Sequence, residues 1–246
     1  SFIKKNYIIH IVEKKINKQI LELKKNNLFN QSVFVFRKTP TKQKYLLTIF
    51  ATPSKERFPL VKKFLINNQS KYILLEKFCF FSISQLDEFK DELNNQTKAF
   101  INSWGYLIAK KSGLKSKLKK FKVICNIKEG NLLANITHLF HFFNYLNKKN
   151  SIKDLLHNNT KVIKNIKRPT YDELRTTLYL QDNKENTLKI ETKKKMNNLI
   201  TFYILQKSPK VNFKITIEND NSIHFYNSGK KENKIQFPFS SKTTFL

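Results

Sequence analysis

Glycine is scarce, 4 residues in 246, and no glycine-rich stretch offers the free backbone amides that cradle a phosphate. A nucleophile elbow and a spacing of metal ligands are likewise missing. These absences leave enzyme chemistry without a foothold in the sequence. Cysteine is limited to Cys79 and Cys125, both in apolar runs with no CxxC pairing, which excludes a disulfide framework and suggests buried thiols. No uninterrupted apolar run approaches the ~20 residues needed to span a bilayer. The longest clusters, around 78–83 and 139–146, are broken by polar residues. A secretory or Arg/Ser-rich leader is not evident at Ser1-Phe2-Ile3-Lys4, as expected of an organelle-encoded or processed chain.

Acids are also few: 18 against 47 bases, for a formal charge of +29. Self-repulsion on that scale disfavours a compact monomer, and a polyanion is the simple remedy, with nucleic acid leading. Only Arg37, Arg57, Arg168 and Arg175 are arginine, whereas Lys, Asn, Ile and Phe abound. That bias suits an AT-rich genome such as an organelle's. It explains the Lys/Arg ratio but not the excess of base over acid.

The hydrophobic pattern predicts a strand at 7–12, a helix through Ile16, Ile20 and Leu23, and a basic β-hairpin spanning 33–50. Pro53 and Pro59 are expected to bracket an irregular basic segment. A strand at 71–75 runs on through 78–83, and Ser84 opens a helix bearing Leu86, Phe89 and Leu93. A strand at 121–127 closes this part, giving an α+β sandwich with helices on one sheet face. Beyond it, 132–146 has helical spacing, Thr170 after Pro169 marks a helix to about Leu180, and 211–218 with 223–226 form a hairpin, with a further strand at 234–239. The two expected domains are 1–130 and 131–246, carrying +18 and +11.

At the hairpin the sequence resembles the universal small-subunit ribosomal protein ten family. Thr39-Pro40-Thr41-Lys42 precedes Tyr45-Leu46-Leu47-Thr48, and Ala51-Thr52-Pro53-Ser54-Lys55 stands where the family's second proline falls, although its histidine there is absent. The resemblance covers 5–95, more weakly 119–130. It implies a ferredoxin-like two-layer sandwich with a long basic hairpin arm, followed by a mixed α/β extension. It also implies a structural, non-catalytic constituent of the mitochondrial ribosome's small subunit. Its partners would be rRNA and neighbouring head proteins, with no membrane span and no small-molecule substrate. No cofactor is expected beyond Mg²⁺ held by rRNA, and the location is the mitochondrial matrix.

The expected RNA-binding residues fall in two groups. The first is the arm: Arg37, Lys38, Thr39, Thr41, Lys42, Lys44, Lys55 and Arg57. The second is a loop before the closing strand: Lys110, Lys111, Lys115, Lys117, Lys119, Lys120 and Lys122, with Gly113 suited to a close backbone approach. Trp104 and Tyr106 could stack on bases, though helical spacing favours a core role. His138 and His141 could share a helix face, but no Cys or acid completes a metal set. The acids Asp87, Glu88, Asp91 and Glu92 suit a helix N-terminus and have no partner histidine. Alternatives are another organellar ribosomal protein, an intron-encoded nuclease or maturase, and a basic peripheral subunit of a respiratory complex.

Overall fold

A computed structural model describes residues 8–13, 33–77, 79–80, 82–148, 150–164, 172–208, 210–220 and 222–236. The helix expected through Ile16, Ile20 and Leu23 lies outside them. The chain divides into two compact units, 1–102 and 103–245.

The first unit is built on parallel strands. Strands β1 (Ile9–Val12) and β2 (Val33–Phe36) pair parallel, Ile9 opposite Val33. Strands β3 (Lys44–Phe50), β4 (Gln69–Leu75) and β5 (Lys98–Ile101) form a second parallel set in that order. Two helices supply the returns that parallel pairing needs: α1 (Ser54–Asn67) between β3 and β4, and α2 (Ile83–Glu92) between β4 and β5. The core is Phe50, Val61, Phe64, Ile73, Leu75 and Phe89, with the Phe50 and Phe64 rings edge to face at 5.4 Å. His10 Nδ1 lies 3.1 Å from the Tyr45 hydroxyl, bringing β1 against β3. Burial raises the Tyr45 phenol above its ordinary value.

This arrangement corrects several expectations. The strands around Pro40 exist, but β2 pairs with β1 and β3 with β4, so the basic segment between them is a connection and not a hairpin arm. The segment expected to be irregular is α1: Pro53 occupies its N-cap, where a missing N–H costs nothing, and Pro59 lies exposed in the helix. The expected strand at 78–83 is irregular at 79, 80 and 82 and already helical at Ile83, and α2 is capped two residues earlier than expected. The hydroxyl of Ser82, not Ser84, accepts from the Gln85 amide at 3.2 Å. A ferredoxin-like sandwich is therefore the wrong architecture for this part of the chain.

The second unit centres on an eight-stranded mixed sheet. Its strands are β6 (Lys122–Lys128), β7 (Ile152–Lys164), β8 (Asp172–Asp182), β9 (Thr187–Lys193), β10 (Ile200–Gln206), β11 (Val211–Ile217), β12 (Ser222–Asn227) and β13 (Lys230–Gln236). Their order is β13-β12-β11-β10-β6-β9-β8-β7, with β6 and β9 parallel and the other pairs antiparallel. The strand expected to close an N-terminal sandwich is thus an interior strand of this sheet. Helices α3 (Trp104–Lys111) and α4 (Leu132–Leu146) contribute Ile108, Leu139, Phe142 and Phe143 to the core, and Phe142 stacks on Phe202 at 4.2 Å.

Glycine is obligatory at 105. A Cβ there would stand 1.8 Å from the His138 carbonyl oxygen, so its absence is what lets α3 lie against α4. The sheet's other face carries Tyr179, Lys189, Ile124, Tyr203, Lys214 and Tyr226 in one cross-strand row. Lys189 sits over Tyr179 and Lys214 over Tyr203 and Tyr226, which places ammonium groups on the rings.

The helix expected from Thr170 is instead the described strand β8. Asp172 and Glu173 resemble first-turn acids, and Glu173 does cap a helix, but not its own. Its carboxylate accepts from the Leu133 amide of α4 at 2.8 Å.

Candidate functional site at the carboxyl edge of the parallel sheet

In open parallel sheets the loops that follow the strands gather at one edge, and ligands bind outside it where the connections reverse direction. Here β1 leads through residues 13–32 to β2, whereas β3, β4 and β5 succeed one another on the side of β1 marked by the His10–Tyr45 contact. The carboxyl ends of β3, β4 and β5 are continued by Thr52, by Glu76 and Lys77, and by Asn102.

These ends are tied together. The Glu76 amide donates to Phe50 at 3.2 Å and the Asn102 amide to Leu75 at 2.8 Å, extending the ladders past the strands. The Asn102 amide side chain donates to Glu76 Oε1 at 2.6 Å. Beneath them lies Arg57, 2% exposed. Its Nη1 donates to the Glu76 carbonyl at 2.8 Å and the Cys79 carbonyl at 3.3 Å, with a longer contact of 3.4 Å to that of Lys77. Its Nη2 donates to the Thr52 carbonyl. Burial lowers this guanidinium's affinity for its proton, while the Glu76 carboxylate opposes that shift. A planar fork is needed because the carbonyls belong to two different loops, and one ammonium cannot span them. The Thr52 hydroxyl is enclosed and makes no hydrogen bond, an unusual state for a buried polar atom.

The edge therefore offers an acid and a base on the loop after β4 and an amide on the loop after β5, with a buried cation tying the β4 loop to that after β3. Lys77 is half-buried. Sequence reasoning missed Glu76, Lys77 and Asn102. The signal was the alternation of strand and helix from β3 to α2, which implies parallel strands and functional residues just after each of them.

The expected binding residues are placed differently. Arg37, Lys38, Thr39, Thr41 and Lys42 are exposed on the connection from β2 to β3, and the Lys42 amide donates to Asn67 at 2.8 Å. Lys44 is exposed at the start of β3 and Lys55 on α1. Arg57 is the exception. Its guanidinium is enclosed by protein carbonyls and cannot serve as a phosphate fork.

Lys110 and Lys111 end α3; Lys117, Lys119 and Lys120 are exposed after it, Lys115 is half-buried, and Lys122 is exposed on β6. Lys120 pairs with Glu185. Trp104 is partly buried against the core, whereas Tyr106 is exposed. His138 is buried beside Ser103 Oγ (3.2 Å) and the Trp104 ring (4.5 Å). Burial lowers the His141 imidazole's pKa. Among the described residues no cluster of His, Cys, Asp or Glu could hold a metal ion.

No known protein family and no curated protein matches this sequence. Solved structures do match. A dehydrogenase (MviM) from Clostridium difficile superposes with a TM-score of 0.54 at 9% identity, over 78% of this chain and 62% of its own. The transcriptional regulator Gal80p from Kluyveromyces lactis gives 0.63 at 13% identity, over 94% of this chain and 68% of its own. An inositol dehydrogenase homolog from Azotobacter vinelandii, complexed with NADH and myo-inositol, gives 0.56 at 13% identity, over 79% of this chain and 57% of its own. The chain thus spans less than two thirds of both dehydrogenases.

At such identities the likeness establishes the fold, which is the Rossmann-type fold of oxidoreductases. It overturns the resemblance to ribosomal protein ten, and with it the non-catalytic ribosomal role and the rRNA and head-protein partners. The structures that share this architecture are mostly dehydrogenases and oxidoreductases, one of them holding a nicotinamide cofactor. Among the described residues, no helix is long and apolar enough to cross a membrane.

Proposed function

We propose that the chain is an enzyme of the oxidoreductase fold that takes a small polar substrate at the carboxyl edge of β3, β4 and β5. Lys77 is the side chain that carries the proton. The observation behind this reading is the convergence of three loops: the buried Arg57 holds that of Thr52 to that of Glu76 and Lys77, and Glu76 in turn holds Asn102. A mere structural turn does not require an arginine buried to 2% exposure at its base. Glu76 and Asn102, already bonded to each other, offer an acceptor and an amide to a hydroxylated ligand.

The fold implies a nicotinamide dinucleotide, whose pyrophosphate normally lies on a glycine turn after the first strand. That turn does not fit here. The residues from β1 onward read Val12-Glu13-Lys14-Lys15-Ile16-Asn17, and the first glycine of the chain is Gly105. The Glu13 amide is committed to the Phe36 carbonyl at 3.0 Å, and its exposed carboxylate would repel a pyrophosphate. The end of β2 has the opposite character: exposed Arg37 and Lys38 stand where dinucleotide enzymes place either an acid for the ribose or a base for a 2′-phosphate.

The proposal is tested by ligand-observed NMR of the full chain with polyols, sugars and hydroxy acids, repeated on Lys77→Met and Asn102→Ala. Compounds bound by the wild type should lose saturation transfer in both variants. Binding that survives both substitutions would place the substrate elsewhere and overturn the assignment.

A further inference from the structure

Three lysines converge on an open cleft of about 390 Å³ in the second unit. Lys110 lies in the last turn of α3, Lys115 in the segment after it, and Lys148 just beyond the end of α4; Gly113, Ser116 and Tyr145 complete the lining. Among the described residues no lining residue is acidic and none of these lysines is in an ion pair. Lys115 Nζ sits 4.5 Å from the centre of the Tyr145 ring, which the Tyr106 ring meets edge-on at 5.0 Å. Gly113 and Lys148 both take left-handed backbone angles, φ +65° and +60°, and so end their helices at this place.

Two helix carboxyl ends present about half a negative charge each. Against three ammonium groups, that leaves about two positive charges unmatched by the described residues. A phosphate monoester carries about −1.5 to −2 at neutral pH, which is the complementary charge. The volume falls within the ~300–1,000 Å³ range of small-molecule sites. A Cβ built on Gly113 meets nothing within 4 Å, so that side of the cleft is unobstructed.

We propose that this cleft binds the phosphate of a sugar- or nucleoside-sized phosphomonoester, with Lys110, Lys115 and Lys148 as its contacts and the Tyr145 ring beside the organic portion. A chain of formal charge +29 attracts any anion, so the test must separate a built site from general attraction.

Calorimetric titration of the full chain with adenosine 5′-monophosphate, inorganic phosphate and adenosine is compared for two charge-matched variants. One is Lys110→Gln/Lys115→Gln/Lys148→Gln. The other is Lys153→Gln/Lys161→Gln/Lys184→Gln, at exposed positions outside the cleft. The first should weaken both phosphate ligands by roughly tenfold or more and the second by less than about twofold, while adenosine shows no saturable binding. Lys115→Gln alone, which leaves both helix ends intact, should weaken them by roughly threefold. Equal losses in the two triple variants, or adenosine binding as tightly as its phosphate, would overturn the proposal.

Discussion

Replacing Arg57 by methionine keeps the length of the side chain and removes the fork beneath the carboxyl edge. The guanidinium serves the carbonyls of Glu76 and Thr52 with short hydrogen bonds and that of Cys79 with a longer one. Hydrogen bonds from a charged donor contribute about 1.5–3 kcal/mol each, and carbonyls left buried without a partner cost about 1–3 kcal/mol. The gain from no longer desolvating a cation offsets part of this, so the net loss should be about 3–5 kcal/mol. Arg57→Lys should recover less than half, because one ammonium reaches one loop and leaves the other unserved. Urea unfolding of wild type and both variants gives the stabilities, and amide shifts of Thr52, Glu76 and Lys77 report whether the loops still meet. A loss below about 1 kcal/mol in Arg57→Met, with those amides unshifted, would show that packing and not the arginine holds the edge together.

Gly105→Ala should destabilise the second unit by about 1–3 kcal/mol despite alanine's better helix propensity, since the His138 carbonyl stands 1.8 Å from the added carbon; thermal melting checks this, and an unchanged midpoint contradicts the close helix contact. The Cys125 thiol is fully buried and its pKa is pushed far up by desolvation, so it should resist a thiol reagent until the chain unfolds while half-buried Cys79 reacts first. A thiol that ionises only when unfolded lends stability below its unfolded pKa and loses it as pH rises, so wild type should lose about 1.4 kcal/mol relative to Cys125→Ala between pH 8 and 10. Fluorescence titration of the Lys110→Gln/Lys115→Gln/Lys148→Gln variant, in which the second-unit cleft no longer offers a phosphate site, should show no saturable binding of NADH or NADPH, because the sequence after β1 lacks glycine and the Glu13 amide is already bonded; saturation would contradict that account of the end of β1.

Local patterns in the chain were readable, and long-range pairing was not. The apolar run at 7–12 and the alternation in Phe121–Ile127 mark β1 and β6, and the apolar spacing of Leu132–Leu146 marks the observed span of α4. Val33–Phe36 and Tyr45–Phe50 also read correctly as strands. What failed was the partner: two strands flanking a proline turn look like a hairpin, yet nothing local encodes that β2 pairs back to β1 through the intervening segment.

Prolines misled in the same way. Pro53 and Pro59 suggested a break, while at an N-cap and on an exposed face they are compatible with α1. Asp172 and Glu173 suggested a helix start because first-turn acids are common there, whereas Glu173 caps α4 from a neighbouring strand. The excess of lysine drew attention to charge, which constrains association and solubility more than fold. The candidate site was hidden by the same emphasis, since Glu76, Lys77 and Asn102 form no motif in sequence and meet only where parallel strands end together.

The most direct test of the functional edge is chemical-shift mapping of the isotope-labelled full chain with a compound selected from the polyol and hydroxy-acid panel. Perturbed amides should cluster at Thr52, Glu76, Lys77 and Asn102 and vanish in Lys77→Met. A cluster on any other surface, or shifts at these positions that persist in the variant, would contradict the assignment of the site.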